Sequence, residues 1–406
     1  MKKIKTLGFL VTVLSFLGLT ACGGNEVSNP INSELPAPTE SSEIVPSTKP
    51  SEHVHTLEHH EAVEATYLTS GNIEYWSCQK CHKLFEDADG SNELTNVIIP
   101  AKTEVLTKSD LLEAINQLKY VTLNANITCD LVIPEGKNVT LDLNGYTLTN
   151  EKDHTITNNG SLTIVGEGTI DNVTHKKAAL YNSVTGVMVV NGAEAGLTIE
   201  RSLEDGKNNT YYAILNQGEM TINEAIVLQN GNYSSLLDNG WYDGNKNTTK
   251  KEAVLVINGG TFDGGLNTIK NDDWGNLTIT GGSFQNMTQS VILNWNMAVV
   301  ENAKLSFKEG TSTAVAYILN GKLDEVMDQG IISIKNVEFA SAEYKKLGYI
   351  YGDDAGEITV YDAEVLKSAV EIGLKVTIKL GCDITCDEEI VTPENVTIDL
   401  NGYKLN

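Results

Sequence analysis

The chain has 406 residues, a mean hydropathy of −0.16 and a formal net charge of −25 at pH 7. This charge disfavours a nucleic-acid partner, because an acidic surface repels the phosphate backbone. It also opposes the binding of acidic sugar chains, which would meet a surface of like charge and a single arginine, Arg201.

The first 22 residues have the pattern of a targeting segment. Lysines at positions 2, 3 and 5 precede an apolar run over 7–19, which is too short for a stable membrane-spanning helix. The run ends in Leu19-Thr20-Ala21-Cys22-Gly23. These features resemble the signal peptide and lipobox of bacterial lipoproteins, with an ordinary secretory signal as the alternative. The resemblance implies acylation of Cys22 and a lipid anchor on the extracytoplasmic face of the cell membrane.

Residues 23–52 are rich in Asn, Ser, Pro, Glu and Thr and contain almost no apolar run. Such a segment cannot bury enough surface to become ordered. We predict a disordered tether that spans roughly 30 Å on average and holds the folded part away from the membrane.

Residues 53–103 form a unit of different composition, with five of the seven histidines and a Cys-x-x-Cys pair at Cys78 and Cys81. Two thiolates at one tight turn suit one edge of a tetrahedral zinc site. We expect His55 and His82 to complete it, with His53, His59 and His60 as further candidates. A disulfide, a reduced pair without a ligand and haem attachment at Cys-x-x-Cys-His are the alternatives, although the segment is short and polar for a porphyrin pocket.

Four motifs run through this unit: His55-Thr56-Leu57, Glu64-Ala65-Thr66, Gly71–Trp76 and Cys78-x-x-Cys81-x-Lys83-x-Phe85-x-Asp87. Together they resemble a short repeat module of surface proteins from gut Firmicutes. The resemblance implies a zinc-ribbon-like structural module. The sequence departs from that family at two positions, because Tyr67 replaces a usual cysteine and His82 a usual glycine.

A large domain begins at residue 104. Ser109–Leu118 is predicted to be an amphipathic helix, capped by Ser109, with its leucines and isoleucine on one side. Short β-type runs follow, the last of them in Val139–Tyr146. We expect the helix to cover the open end of the first β-rungs, where a strand edge would otherwise be exposed.

The clearest repeat lies within residues 254–307. LVINGGTF at 255–262 is followed by LTITGGSF at 277–284 and by a degraded copy at 298–305. The aligned positions Ile257, Ile279 and Val300 therefore recur at intervals of 22 and 21 residues. This period, in short β-branched runs broken by Gly and Asn, is typical of a stacked solenoid. Phe262 and Phe284 are predicted to stack inside it.

These patterns predict an all-β chain with a right-handed parallel β-helix over residues 104–360, and a β-sandwich is the alternative. Leucine-rich repeats would need a Leu-x-x-Leu-x-Leu frame with an asparagine ladder, which we do not find. With the opening motif Asp142-Leu143-Asn144-Gly145-Tyr146, the domain resembles the pectin-lyase-like β-helix proteins, especially their adhesin-like surface members. The opening block recurs 257 residues later, so residues 361–406 are predicted to be the start of a second β-helix unit or a cap.

Catalysis has weak support in the sequence. Lyases of this shape need a basic residue and calcium or Arg to hold the acid sugar, and hydrolases use Gly-His-Gly and Arg-x-Lys motifs, which are absent. Asp272 and Asp273 beside Trp274 are weak candidates for an acid/base pair. We favour a turn in which these carboxylates accept local amides. Calcium at this turn is a further alternative, although no dense Asp ladder supports it.

Four aromatic residues, Trp241, Tyr242, Trp274 and Trp295, are candidate binding residues. Exposed aromatics on a rigid strand face stack on sugar rings or anchor a protein partner, and burial in the core is the alternative. We therefore predict a non-catalytic surface adhesin or glycan-binding scaffold, with glycans or host and cell-surface proteins as its partners. A polysaccharide lyase or glycoside hydrolase is the alternative.

Overall fold

The computed structural model describes residues 53–406, apart from 193–195, 204–210, 242–249, 322–329 and 350–351. The predicted signal peptide, the tether, Cys22 and Tyr242 lie outside the described residues. Residues 55–406 form one compact unit. Within the described ranges, no helix combines the length and the apolar character that a membrane crossing requires.

Three parallel sheets run along the large domain. The first sheet has 12 described strands: Tyr120–Thr122, Asn138–Asp142, Ser161–Val165, Val187–Asn191, Glu219–Glu224, Ala253–Ile257, Gly275–Ile279, Met297–Glu301, Ile331–Lys335, Asp354–Val360, Lys375–Leu380 and Val396–Asp399. The second sheet has nine: Ile127–Thr128, Thr147–Thr149, Gly168–Asp171, Leu197–Arg201, Ile226–Gln229, Thr261–Gly264, Ser283–Asn286, Lys304–Phe307 and Glu338–Phe339. The third sheet also has nine: Leu131–Ile133, Ile156–Asn158, Leu180–Asn182, Ile214–Asn216, Leu237–Asn239, Asn267–Asn271, Ser290–Asn294, Ala316–Asn320 and Lys345–Gly348.

From Tyr120 to Gly348, each turn of the chain adds one strand to each sheet, which is the right-handed parallel β-helix that the repeat predicts. The last three strands of the chain all join the first sheet. The prediction of register is confirmed, because Ile257 pairs with Ile279 and Ile279 with Val300 in the first sheet. Phe262 and Phe284 are buried, and their rings stack with centroids 4.8 Å apart. The all-parallel pairing excludes a β-sandwich, whose sheets are antiparallel.

An asparagine ladder runs through the third sheet, contrary to our expectation. Each side-chain amide except that of the last member donates from Nδ2 to Oδ1 of the asparagine one rung later, at 2.7–2.8 Å. The seven members are Asn158, Asn182, Asn216, Asn239, Asn271, Asn294 and Asn320, all of them buried. Their remaining donors reach backbone carbonyls at the following turn, so the ladder satisfies polar groups where each rung leaves the sheet.

Two helices lie among the described residues. Helix α1 spans Lys108–Gln117, and its N-cap is Thr107 rather than the predicted Ser109. Thr107 has extended backbone angles and forms a reciprocal capping box with Asp110, which places the helix start two residues earlier. Helix α2 spans Ala363–Val370, and the strands Lys375–Leu380 and Val396–Asp399 after it continue the first sheet.

The small module is built from antiparallel strands. Leu57–His60, Tyr75–Cys78, Leu84–Phe85 and Glu93–Leu94 form one sheet, and Gly71–Asn72 pairs with Ile98–Ile99. Tyr67, which replaces the cysteine usual in the resembling family, donates its hydroxyl to the Glu104 carbonyl at 2.8 Å. Its ring packs against the core of the β-helix. Tyr67 therefore contributes to the junction with the large domain.

Candidate functional site

The small module brings together two histidines and two cysteines. The possible ligand atoms of His53, His55, Cys78 and Cys81 all lie within 4.8 Å of one another. Tetrahedral zinc, with ligands at roughly 2.0–2.3 Å, separates its ligand atoms by about 3.3–3.8 Å. The separation of 3.5 Å between Cys81 Sγ and His55 Nδ1 already has this value. The residues present therefore fit a metal ion of this kind, and the group could hold one.

The predicted ligand His82 lies outside this group, and His53 is a member instead. His82 is exposed and has φ of 59°, in the left-handed region that favours glycine. Its backbone N–H donates to the Cys78 carbonyl at 2.9 Å, which closes the turn of the Cys-x-x-Cys pair. The usual glycine of the resembling family thus corresponds to a conformational requirement here, and the imidazole of His82 is not needed for ligation.

Replacing His82 with glycine should stabilise the module by about 1 kcal/mol, because glycine adopts a positive φ without the cost of a Cβ. Metal content should stay the same. Thermal unfolding and elemental analysis of the purified protein would measure both. Lys80→Gly, in the same turn but outside the positive-φ region, should instead destabilise the module. Loss of the metal in His82→Gly would show that His82 is a ligand after all.

The predicted acid/base pair lies in the turn between two rungs. Asp272 is fully buried, and its Oδ1 accepts the Asp273 backbone N–H at 2.9 Å. Asp273 is 5% exposed. Because both carboxyl groups are buried and Asp272 already accepts a backbone N–H, they are poorly placed to flank a glycosidic bond of a polymer. Arg201 is equally committed, because its buried guanidinium donates to the carbonyls of Thr174 and Tyr211.

Sequence reasoning missed two residues beside Asp272, namely Lys270 and Asp238. Lys270 Nζ lies 2.5 Å from Asp272 Oδ2 and 3.7 Å from Asp238 Oδ1, and 4.8 Å from the centroid of the Trp295 ring. Lys270 follows the inward-facing Ile269, so its side chain points to the outer face of the third sheet. The side chains of Asp238, Lys270, Asp272 and Trp295 are nevertheless all less than 10% exposed. Burial of an outward position depends on distant chain segments, which short sequence patterns do not reveal.

The predicted aromatic residues have different environments. Trp295 is 4% exposed and belongs to a small apolar cluster with Leu293, Ala316 and Leu319. Trp241 is half-buried, and its Nε1 donates to the Lys251 carbonyl at 3.0 Å. Trp274 is also half-buried, at a turn position with φ of 63°. Trp295 is therefore a packed core residue, whereas Trp241 and Trp274 are partly exposed.

A cleft of about 360 Å³ lies next to this apolar cluster, over the last rungs of the third sheet. Ala316, Leu319 and Leu347 give it an apolar floor, and Tyr349, which is 45% exposed, stands at its side. Gly348 pairs with Leu319 on the neighbouring strand, and a Cβ at position 348 would come within 3.1 Å of the Leu319 side chain. The absence of a side chain at Gly348 therefore keeps the cleft open. Polar groups come from Gln289, Lys345 and Glu371.

The comparisons with known proteins give a distant relative. The chain is 23% identical over 275 residues to a protein of Salmonella typhimurium described as a putative surface-exposed virulence protein, BigA. The aligned part is 65% of this chain but 13% of that protein, so the chain spans about an eighth of the length of its relative. No protein-family model matches the chain, and no solved structure matches it.

Proposed function

We propose that this protein is a surface-displayed binding scaffold that recognises neutral glycans without cleaving them. The distant similarity to a surface-exposed protein supports its location, and the lipobox-like sequence before Cys22 supports a lipid anchor on the extracytoplasmic face of the membrane. A β-helix holds its outer surface rigid, so ligand binding costs little ordering of the protein.

The cleft beside Tyr349 is the observation that carries the glycan proposal. Sugar rings present apolar C–H faces that pack on aromatic rings, and hydroxyl groups at their edges that need polar partners. The cleft offers an exposed tyrosine over an apolar floor, with amide, ammonium and carboxylate groups at its rim. The mixed charge of the rim and the net charge of −25 favour a neutral sugar over an acidic one.

Replacing Tyr349 with alanine should weaken glycan retention about tenfold, which corresponds to roughly 1.4 kcal/mol of lost stacking. The measurement is retention of the purified protein on a panel of immobilised neutral and acidic polysaccharides. Tyr233→Ala is the matched control, because Tyr233 is similarly exposed, at 49%, and does not line the cleft. Equal loss in both variants, or retention on acidic polymers alone, would contradict the proposal.

The same panel tests the enzymatic alternative. New chain ends in the soluble fraction would show cleavage, and their loss in Asp272→Asn would place catalysis at the buried turn. We expect no cleavage, because Asp272 and Asp273 are buried and the single arginine is bound to backbone carbonyls.

For the small module we propose structural zinc held by His53, His55, Cys78 and Cys81. Two thiolates and two imidazoles match the ligand preference of zinc in closed, four-coordinate sites. The burial of Cys78, which is 1% exposed, is consistent with a structural rather than a catalytic role. The ion would stabilise a unit of about 50 residues whose own apolar core is small.

A further inference from the structure

Lys270 is enclosed between two carboxyl groups that belong to adjacent rungs. Its Nζ contacts Asp272 Oδ2 at 2.5 Å and lies 3.7 Å from Asp238 Oδ1. Asp238 and Lys270 are register partners on neighbouring parallel strands. The three side chains are 1%, 7% and 0% exposed for Asp238, Lys270 and Asp272. An amine and two carboxyl groups are therefore held in contact and shielded from bulk water.

The environment of Asp238 favours the neutral form of its carboxyl group. Burial raises the pKa of Asp238 well above its usual range, and repulsion by Asp272 raises it further. Asp272 forms the closer ion pair with Lys270. A neutral Asp238 carboxylic acid beside the Lys270–Asp272 ion pair leaves the buried group without net charge, whereas ionisation of Asp238 would add an uncompensated buried charge. A carboxylic acid accepts attack by an amine at its carbon far more readily than a carboxylate does, because the carboxylate is already negative.

We propose that Lys270 and Asp238 condense to an intramolecular amide that joins two rungs of the β-helix. The Lys270 ammonium first transfers a proton to the Asp272 carboxylate, which frees the lone pair of Nζ. Nζ then attacks Cγ of Asp238, a C–N bond forms, and a C–O bond breaks. Asp272 passes this proton to the departing hydroxyl of Asp238, which leaves as water. The Asp272 carboxylate then takes up one of the two protons on the nitrogen, which leaves a neutral amide N–H. The reaction is a condensation without oxidation or reduction, and it needs no co-reactant.

Asp238 is the electrophile and Asp272 the proton carrier for geometric reasons as well. Asp238 faces Lys270 across a strand pair, so an amide between them follows an existing lateral contact. Asp272 is two residues further along the same chain and is already the hydrogen-bonding partner of Nζ. The amide would connect strands 32 residues apart in sequence and reduce the freedom of the unfolded chain, as other covalent crosslinks do. The amide would form whatever ligand the cleft binds.

Peptide mapping of the folded, full-length protein tests the amide directly. Trypsin would release residues 208–246, 252–270 and 271–304 as separate peptides from an unlinked chain. We expect instead a branched product of 208–246 and 252–304 that lacks the mass of one water, because the modified Lys270 resists cleavage. Fragmentation should place the bond at Asp238. Separate peptides with unmodified Lys270 would overturn the proposal, and a product of 252–304 alone that lacks one water would assign the bond to Asp272 instead.

Three variants control this experiment. Lys270→Arg keeps the positive charge but lacks the primary amine, so its map should show residues 208–246 as a free peptide. Asp272→Asn keeps the shape without the proton acceptor and should lower the linked fraction at least tenfold. Lys308→Arg is the matched control, since Lys308 lies 2.6 Å from Asp263 in a more exposed pair and should leave the link intact. If Asp272→Asn left the linked fraction unchanged, Asp272 would not be the proton carrier. The peptide map of the wild-type protein decides the proposal even where a variant fails to fold.

Discussion

Replacing Asn271 with alanine should lower the free energy of unfolding by about 4 kcal/mol. Asn271 Nδ2 donates to Asn294 Oδ1 and to the carbonyls of Gly275 and Met297, and its Oδ1 accepts from Asn239 Nδ2. The side chain is fully buried, so water cannot replace these bonds. The variant would remove one hydrogen bond from each of these four polar groups, and each group that is left unsatisfied costs about 1–3 kcal/mol before relaxation. Urea unfolding followed by circular dichroism would measure the loss.

An exposed asparagine provides the control for this effect. Asn258 also bonds to the rungs on both sides, because its Nδ2 donates to Asn223 and its Oδ1 accepts from Thr280. Its side chain is exposed, so water can take over both bonds. Asn258→Ala should therefore cost less than about 1 kcal/mol. If the two variants were equally destabilised, the ladder would owe its contribution to local turn geometry and not to burial of the amides.

The fold could be predicted where the repeat is regular. The rungs at Ile257, Ile279 and Val300 follow each other without long insertions, so their spacing reveals the period. The asparagine ladder has an equally simple motif, an aliphatic residue, any residue and asparagine, as in Ile269-Lys270-Asn271. Its members are separated by 23 to 34 residues, because loops of different length lie between the rungs. A search at fixed period therefore misses the motif, whereas a search for the triplet itself would detect it.

The candidate sites show the same division between local and distant determinants. The Cys-x-x-Cys spacing predicts a turn with two thiolates from four residues alone, and the structure has that turn. The choice between His53 and His82 depends on where the segment before the strand Leu57–His60 passes relative to the turn, which local sequence does not specify. Asp238 and Lys270 occupy outward strand positions that would ordinarily be solvated. Their burial depends on the tertiary structure, so the sequence alone does not reveal it.

Removal of the proposed zinc ion should unfold the small module while the β-helix stays folded. Structural zinc sites in small domains contribute on the order of 10 kcal/mol, more than a unit of this size gains from its core. After chelation, backbone amide exchange should become fast in the strand Tyr75–Cys78, which supplies a ligand and pairs with Leu57–His60. Exchange in the strand Gly275–Ile279, deep in the β-helix, should be unchanged.

Variants separate the ligands from the other histidines of the module. Cys81→Ser and His55→Ala should lose the metal and give fast exchange without chelator. His60→Ala is the matched control, because His60 bonds to Ser77 and stacks on Tyr75 outside the cluster, and it should keep one metal ion per chain. A thiol assay distinguishes the remaining alternative, since a disulfide would leave Cys78 and Cys81 unreactive after chelation, whereas a metal site releases two free thiols. Protection that survives chelation with both thiols free would mean that the module folds without either constraint.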